Sequence, residues 1–387
     1  MPGVRRTTVG AAFGLHCFFH LVLEWAFLHC GVLEILIQQL ELGRSLSTEQ
    51  VREAVVALVD ASAAAETKAD FLSALGRKGE SVEEIAAFAR ELRARAVSPP
   101  LDAATRAREI LDVVGTGGDQ LNTFNISTTV AFIAAASGVI VAKHGNRAIT
   151  SRCGSADLLE ALGVKTVLAP DEAARWLRDH QFAFFFAPAY HPAFKEIAPA
   201  RKLCAARGQR TLFNFLGPLL NPVQASAQLT GVPRPELCEP MARVMQALGV
   251  RRGMVVCGQV QGPNGPAWLD ELSTLGDSHI AEFYQERAFA TSVFAPSNFS
   301  LQPATLSDLT GADRETNARL VLALLTGEDR GPKRDAVLLN AAASLFVAGR
   351  ATSLAAGWDV AAQLIDDGAA LAKLREVQEA SRATGMG

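Results

Sequence analysis

From about residue 109 onward, short apolar runs alternate with stretches of helical spacing, and this alternation limits the fold more than any other feature. "LDVVG" leads into "STTVAFIAAASG", and "VIVAKHG" is followed by "SADLLEALGV". Further on, "DEAARWLRDH" precedes "FAFFFAP", and "PELCEPMARVMQALGV" precedes "RGMVVCG". Strands joined through helices pair in parallel, because the crossover returns the chain to the same end of the sheet. The expected fold class is therefore α/β: a large domain over 104–387 with a central, mostly parallel sheet flanked by helices. Residues 33–98 read differently. "LSTEQVREAVVALVDA", "KADFLSALGRKGES" and "VEEIAAFARELRARAV" carry apolar residues at helical spacing, with Ser47 or Thr48 as first N-cap and Glu49 close behind. No strand is expected there, so this is a small all-α domain, closed by the linker signal "SPPLDA" at 98–103. A helical segment around 200–225 is expected to join it.

Composition narrows the function classes. With 37 basic against 40 acidic residues and a net charge of −3, the chain lacks the basic excess of a nucleic-acid binder. Its six cysteines are scattered without a C-x-x-C pair, which suggests neither a disulfide framework nor a zinc site and fits a reduced cytoplasm. Thr7–Leu23 holds no charged residue and follows Arg5-Arg6, like a signal peptide. His16 and His20 interrupt it, no A-x-A site follows, and it falls short of the ~20 apolar residues of a spanning helix. Residues 1–32 are read as an N-terminal extension, either an extra helix or residues foreign to the natural product, with no membrane role.

The chemistry gathers at strand ends. In "DVVGTGGDQLNTFNIST" an apolar strand breaks into Gly115, Gly117 and Gly118, then Asp119 and a run of small polar side chains. Glycines there let a bulky anion approach the backbone. Gln120 stands where a dinucleotide fingerprint needs Gly, and no Gly-Lys-Ser/Thr follows for a Walker loop. Ser127, Thr128 and the free N–H groups of the following helix make an anion site; an ordinary turn with an N-cap would need only one Gly and one Ser. The next apolar strand ends in Lys143, His144, Asn146 and Arg147, with Ser151 and Ser155 beyond. Ligands of open α/β sheets bind beyond the carboxyl ends of strands, and two such ends suit a compound with phosphates at both ends. A lone His such as His144 is more often structural than catalytic. The pair Asp270-Glu271 in "WLDELS" would in isolation read as solvated surface; beside a polyphosphate it becomes a magnesium-binding pair.

Together "GTGGD", "NTFNIST", "KHGNR", "GSADLLEALGV", "FAPAYHPAFKEIAPAR", "RTLFNFLGPLLNP", "LDELS" and "LLNAAASLF" resemble the anthranilate phosphoribosyltransferases, and the resemblance covers nearly the whole chain from about residue 33. It implies that Gly115, Gly118, Asp119, Thr123, Asn125, Ile126, Ser127, Thr128, Lys143, His144, Gly145, Asn146, Ser151 and Ser155 bind phosphoribosyl pyrophosphate. It implies that Gly115, Asn146 and Arg201 bind anthranilate, with Arg201 facing the carboxylate. Ser127 and Glu271 would ligate one Mg2+, and Asp270 and Glu271 a second. The family's fold pairs a small helical domain with a large α/β domain, forms a homodimer through the helical domain, and is shared with pyrimidine nucleoside phosphorylases. Two departures stand out. "KLCAARGQ", between Arg201 and "RTLFN", is longer than the family's usual spacing, which makes Arg207 and Arg210 alternatives to Arg201; and residues 1–32 have no counterpart.

The implied reaction displaces pyrophosphate from the ribose by the amine of anthranilate. No Ser-His-Asp or paired acid/base set is evident, and the weakly basic amine needs none. A nucleoside phosphorylase on the same fold would keep the phosphate loop but has no use for Asp270-Glu271. A non-catalytic nucleic-acid-binding relative would need a basic groove.

Overall fold

The computed structural model describes residues 31–148, 152–262, 265–285 and 288–385. The reading of Thr7–Leu23 as a non-signal segment lies outside the described residues. The chain divides into two compact units, one ending at Glu91 and including Ala193–Leu212, the other comprising Leu92–Pro192 and Phe213–Gly387. The segment 193–212 returns to the smaller unit.

The described part of the smaller unit is all helical. Residues 31–41, Thr48–Val59, Ala65–Lys78 and most of Val82–Arg93 are helices, joined by Phe194–Ala206. Ser47 is the N-cap of Thr48–Val59, and its capping-box partner is Gln50, not the Glu49 beside it: the Gln50 N–H donates to Ser47 Oγ at 3.2 Å and the Ser47 N–H to Gln50 Oε1 at 2.9 Å. The helix Phe194–Ala206 packs on Ala65–Lys78, where Lys68 Nζ donates to the Glu196 carbonyl at 3.1 Å.

The larger unit is α/β. Its strands are β1 (Ile110–Gly115), β2 (Ile140–Gly145), β3 (Phe182–Phe186), β4 (Ala227–Gly231), β5 (Arg252–Gly262), β6 (Gly265–Leu269), β7 (Ser278–Tyr284) and β8 (Ala288–Phe294). They form one sheet in the order β3-β2-β1-β4-β5-β7-β8, with β6 on the far half of β5. The pairs from β3 through β5 are parallel, whereas β6, β7 and β8 join antiparallel. The apolar helices Ile126–Ala136 and Pro332–Val347 are buried almost throughout and pack on each other, as a helix that is hydrophobic on every side must. Phe132 of the first stacks on Phe182 of β3 with ring centroids 4.7 Å apart.

Gly258–Gly262 and Gly265–Leu269, rich in glycine, pair antiparallel as the end of β5 and β6, from Gly258–Leu269 to Gly262–Gly265. Glycine and proline lower strand propensity, and the tertiary pairing overrides it.

Candidate active site

Because β1, β2, β3, β4 and β5 run parallel, their carboxyl ends share one edge of the sheet. β1 and β4 end in glycines that face each other in register, Gly115 with Gly231. Asp270 lies across both. A Cβ on Gly115 would sit 2.6 Å from Asp270 Oδ2, and a Cβ on Gly231 would sit 1.5 Å from the Asp270 carbonyl oxygen. The paired glycines are a flat floor that only a missing side chain provides. The Gly117 N–H donates to Asp270 Oδ2 at 2.7 Å, so the glycine loop after β1 grips the carboxylate directly. From above, Asn340 of the helix Pro332–Val347 holds the backbone of Leu272: its Oδ1 accepts from the Leu272 N–H at 2.9 Å and its Nδ2 donates to the Leu272 carbonyl at 3.0 Å. The "LLNAAASLF" stretch thereby acquires its role.

Glu271 reaches the start of the helix Ile126–Ala136, where the Ser127 N–H favours its charged form. Lys143 comes in from β2 fully buried; its Nζ donates to the Val113 carbonyl at 2.7 Å and to Ser127 Oγ at 3.2 Å. Asp119, Ser127, Lys143, Asp270 and Glu271 thus gather beside the glycine loop. Burial, then the charge of Asp119, pushes Asp270 up to about 8. Burial, then Asp270, holds Glu271 well above its ordinary value. Burial lowers Lys143 to about 8, against the pull of Asp112 and Glu271. Carboxylates crowded this way lack positive charge, and Asp119 Oδ2 and Thr128 Oγ1 are buried without a hydrogen-bond partner. Among the described residues there is no cluster of three or more His, Cys, Asp or Glu arranged for a metal. The paired Asp270 and Glu271 with the unpartnered Asp119 Oδ2 suit Mg2+, which takes one or two carboxylates and completes its shell with phosphate oxygens and water.

A buried support lies underneath. β1 and β2 pair through Ile110–Ile140 and Leu111–Val141; beyond that register the Asp112 carboxylate takes over. It accepts from the His144 N–H at 3.2 Å and from Asn221 Nδ2 at 2.9 Å, and burial raises its pKa to about 6. The His144 ring turns away to the His191 ring, centroids 5.3 Å apart. Burial, then His191, drives His144 down to about 3, and burial drives His191 down to about 4. These two rings are neutral.

The remaining expected residues distribute as follows. Asn125 caps the helix Ile126–Ala136 positionally but makes no side-chain cap bond, and the Ile126 side chain belongs to the core. Thr123 forms an isolated bridge with Thr310. A Cβ on Gly118 would meet Pro233 at 3.2 Å, and one on Gly145 would meet Ser155 Oγ at 2.3 Å. Ser155 Oγ donates to the Asn146 carbonyl at 3.3 Å, which ties the β2 loop to the next helix. Ser151 lies outside the described residues. Arg201 sits on the helix Phe194–Ala206 of the other unit. The longer spacing after it is taken up by the last turn of that helix and a left-handed residue, Gly208 at φ 69°. Arg207 pairs with Asp70 at 2.7 Å on the surface. Gly231, Asn340, Asp112 and Asn221 escaped the sequence reading. A glycine closing a strand run, as in "QLTG", was the available signal for Gly231; the others give no local one.

The family described as "Glycosyl transferase family, a/b domain" matches residues 107–371, and its companion "helical bundle domain" matches 34–96. An anthranilate phosphoribosyltransferase of Moorella thermoacetica is 45% identical over 345 residues, 89% of this chain and 97% of the relative. One of Brevibacillus brevis is 44% identical over 342 residues, 88% of this chain and 96% of its own. The Thermus thermophilus enzyme structure has a TM-score of 0.80 at 39% identity, covering 90% of this chain and 99% of that one. The Saccharomyces cerevisiae enzyme, solved in complex with PRPP and Mg, has a TM-score of 0.79 at 26% identity over 91% of this chain and 98% of its own. With a glycine floor, a buried lysine and a carboxylate pair at the strand ends of such a fold, the chain belongs to the anthranilate phosphoribosyltransferase family.

Proposed function

We infer that this chain transfers the phosphoribosyl group of phosphoribosyl pyrophosphate to the amine of anthranilate, releasing pyrophosphate, in tryptophan biosynthesis. The observation that carries the reading is Asp270-Glu271 seated on the Gly115–Gly231 floor beside the loop 115–119 and Lys143. In the reaction the amine nitrogen forms a bond to C1 of the ribose. The C1–oxygen bond breaks, its electron pair leaves with pyrophosphate, and the nitrogen then loses a proton.

The leaving group is highly charged, so the residues act mainly on charge and position. Lys143 aims a buried ammonium at the helix start where Ser127 lies. Gly115, Gly118, Asp119, Thr123, Asn125, Ser127, Thr128, Asn146 and Ser155 would line the approach of the phosphates, and the family resemblance assigns Ser151 the same binding role. Asp270, Glu271 and Ser127 would hold Mg2+, two ions per site, and the metal when bound neutralises developing charge on the pyrophosphate. Arg201 would face the anthranilate carboxylate in a charge-assisted pair. Exposed Ile35 and Leu42 of the smaller unit, 65% and 69% accessible, favour a homodimer through that unit. All four described cysteines are free, which favours a reducing, cytoplasmic setting. Among the described residues no helix is long and apolar enough to cross a membrane.

The test is the loss of anthranilate fluorescence on mixing with phosphoribosyl pyrophosphate. We expect it with Mg2+, not after chelation, and again on adding Mg2+ back. A fluorescence that stays constant with Mg2+ present overturns the reading.

A further inference from the structure

The loop that follows β1 does not hold itself. A segment from Leu309 to Asn317, which belongs to none of the motifs singled out in the sequence, lies along it. The Phe124 N–H donates to the Leu309 carbonyl at 3.0 Å, and the Gly311 N–H to the Asn122 carbonyl at 2.8 Å. Thr123 and Thr310 form an antiparallel bridge between them. Contact is so close that a Cβ on Gly311 would sit 2.9 Å from Phe124 Cα and 2.9 Å from the Thr123 carbonyl oxygen. Two loops have in effect zipped together.

At the end of this zipper four groups form a directed chain of three hydrogen bonds. The Ala312 N–H donates to Asn317 Oδ1 at 2.8 Å, Asn317 Nδ2 donates to Asn125 Oδ1 at 3.0 Å, and Asn125 Nδ2 donates to the Cys153 carbonyl at 3.0 Å. A side-chain amide has two nearly equivalent orientations. Here both are fixed by the ends: a peptide N–H can only donate and a peptide carbonyl can only accept, so neither amide can turn over without losing two bonds. Asn317 is 2% exposed, so water does not replace a lost partner. Asp313 caps the helix Arg314–Leu325 through the Thr316 N–H at 2.8 Å, which fixes Asn317 one turn in.

We propose that Asn317 is a positioning residue for phosphoribosyl pyrophosphate: through the amide of Asn125 it couples the loop 122–125 to the Cys153 carbonyl, and so sets the spacing between the two phosphate-binding segments. The proposal rests on the reading of these segments as the phosphate site. It separates Asn317 from a plain packing role, because its effect falls on one substrate.

The decisive variant is Asn317→Asp, which keeps the acceptor for Ala312 and replaces a single donor by a carboxylate oxygen. That oxygen faces Asn125 Oδ1, turns the amide and detaches it from Cys153. Asn317→Ala, neutral and unable to donate, carries the same test if the aspartate variant does not fold, and excludes a simple charge effect. Loss of buried hydrogen bonds should raise the KM for phosphoribosyl pyrophosphate about ten- to a hundredfold in both. The anthranilate KM, at saturating cosubstrate, should stay within about twofold. Unchanged KM values, or equal losses for both substrates in step with a lowered Tm, overturn the proposal. Asn125→Ala separates the two levels. If it raises the KM for phosphoribosyl pyrophosphate while the Asn317 variants do not, only the coupling is wrong. If it has no effect, the phosphate reading of the loop fails, and the proposal with it.

Discussion

A methyl group at Gly231 should disable the enzyme, and the structure supplies the size of the effect. In Gly231→Ala the new Cβ would lie 1.5 Å from the carbonyl oxygen, 2.3 Å from the carbonyl carbon and 3.0 Å from the Cα of Asp270. Ordinary contact begins near 3.4 Å, so the peptide must withdraw by about 1.9 Å. It cannot withdraw freely. The carboxylate of Asp270 is tied to the Gly117 N–H on one side, and Leu272 is held by Asn340 on the other. Displacing a positioned group by ~1 Å can cost about a hundredfold in rate, so kcat/KM should fall by at least about a hundredfold. The assay is the fluorescence progress curve at saturating Mg2+, with thermal unfolding in parallel to show that the variant is folded. The loss should appear in both substrates alike, since the carboxylates would then miss the leaving group itself. Turnover close to the parent in a folded Gly231→Ala protein would refute the floor as the device that seats Asp270-Glu271.

Two further outcomes are expected. Arg201→Ala should raise the anthranilate KM about ten- to a hundredfold, the value of an Arg–carboxylate pair, with the cosubstrate KM nearly unchanged; a selective defect in Arg210→Ala instead would move the role across the longer spacing. Stability should also carry a histidine signature. His144, ordinarily near 6.5, is held down to about 3, so as pH falls below 6.5 the unfolded chain takes up a proton that the folded one refuses. Stability is lost through that window, at ~1.4 kcal/mol per pH unit. Asp112, raised to about 6, works with the opposite sign and loses stability as pH rises toward 6. The difference between the parent and His144→Gln isolates the ring: urea midpoints at pH 7 and 5 should drop further in the parent, and parallel slopes would contradict the neutral buried ring.

The sequence carried the α/β alternation because parallel strands buried on both faces write themselves as apolar runs, and it marked the end of β1 because glycines cluster where the backbone must be bare. What it hid was contact between distant segments. β6 is written in glycine and proline, and only pairing with β5 makes it a strand. Asp112 looks like any polar interruption of a strand until β2 parts from β1 and needs a carboxylate. Asn340 and Asn317 lie inside helices, where an amide has no local reason to be, and their partners are Leu272 and Asn125.

The distances along the chain between such partners bear on how the protein acquires activity. The bond from Gly117 to Asp270 spans 153 residues, and that from Asn317 to Asn125 spans 192. Contacts of that separation close only after loop entropy has been overcome, and chains rich in them fold slowly. In the smaller unit, the helices Thr48–Val59 and Ala65–Lys78 are neighbours along the chain and can mature early, whereas Phe194–Ala206 joins them only across about 128 residues. Catalytic competence is therefore a late property of this chain: on dilution from denaturant, helical signal should return well before turnover does. A translating ribosome would have to release residues past Asn317 before the bonds to Asn125 and to the loop after Gly115 could both close.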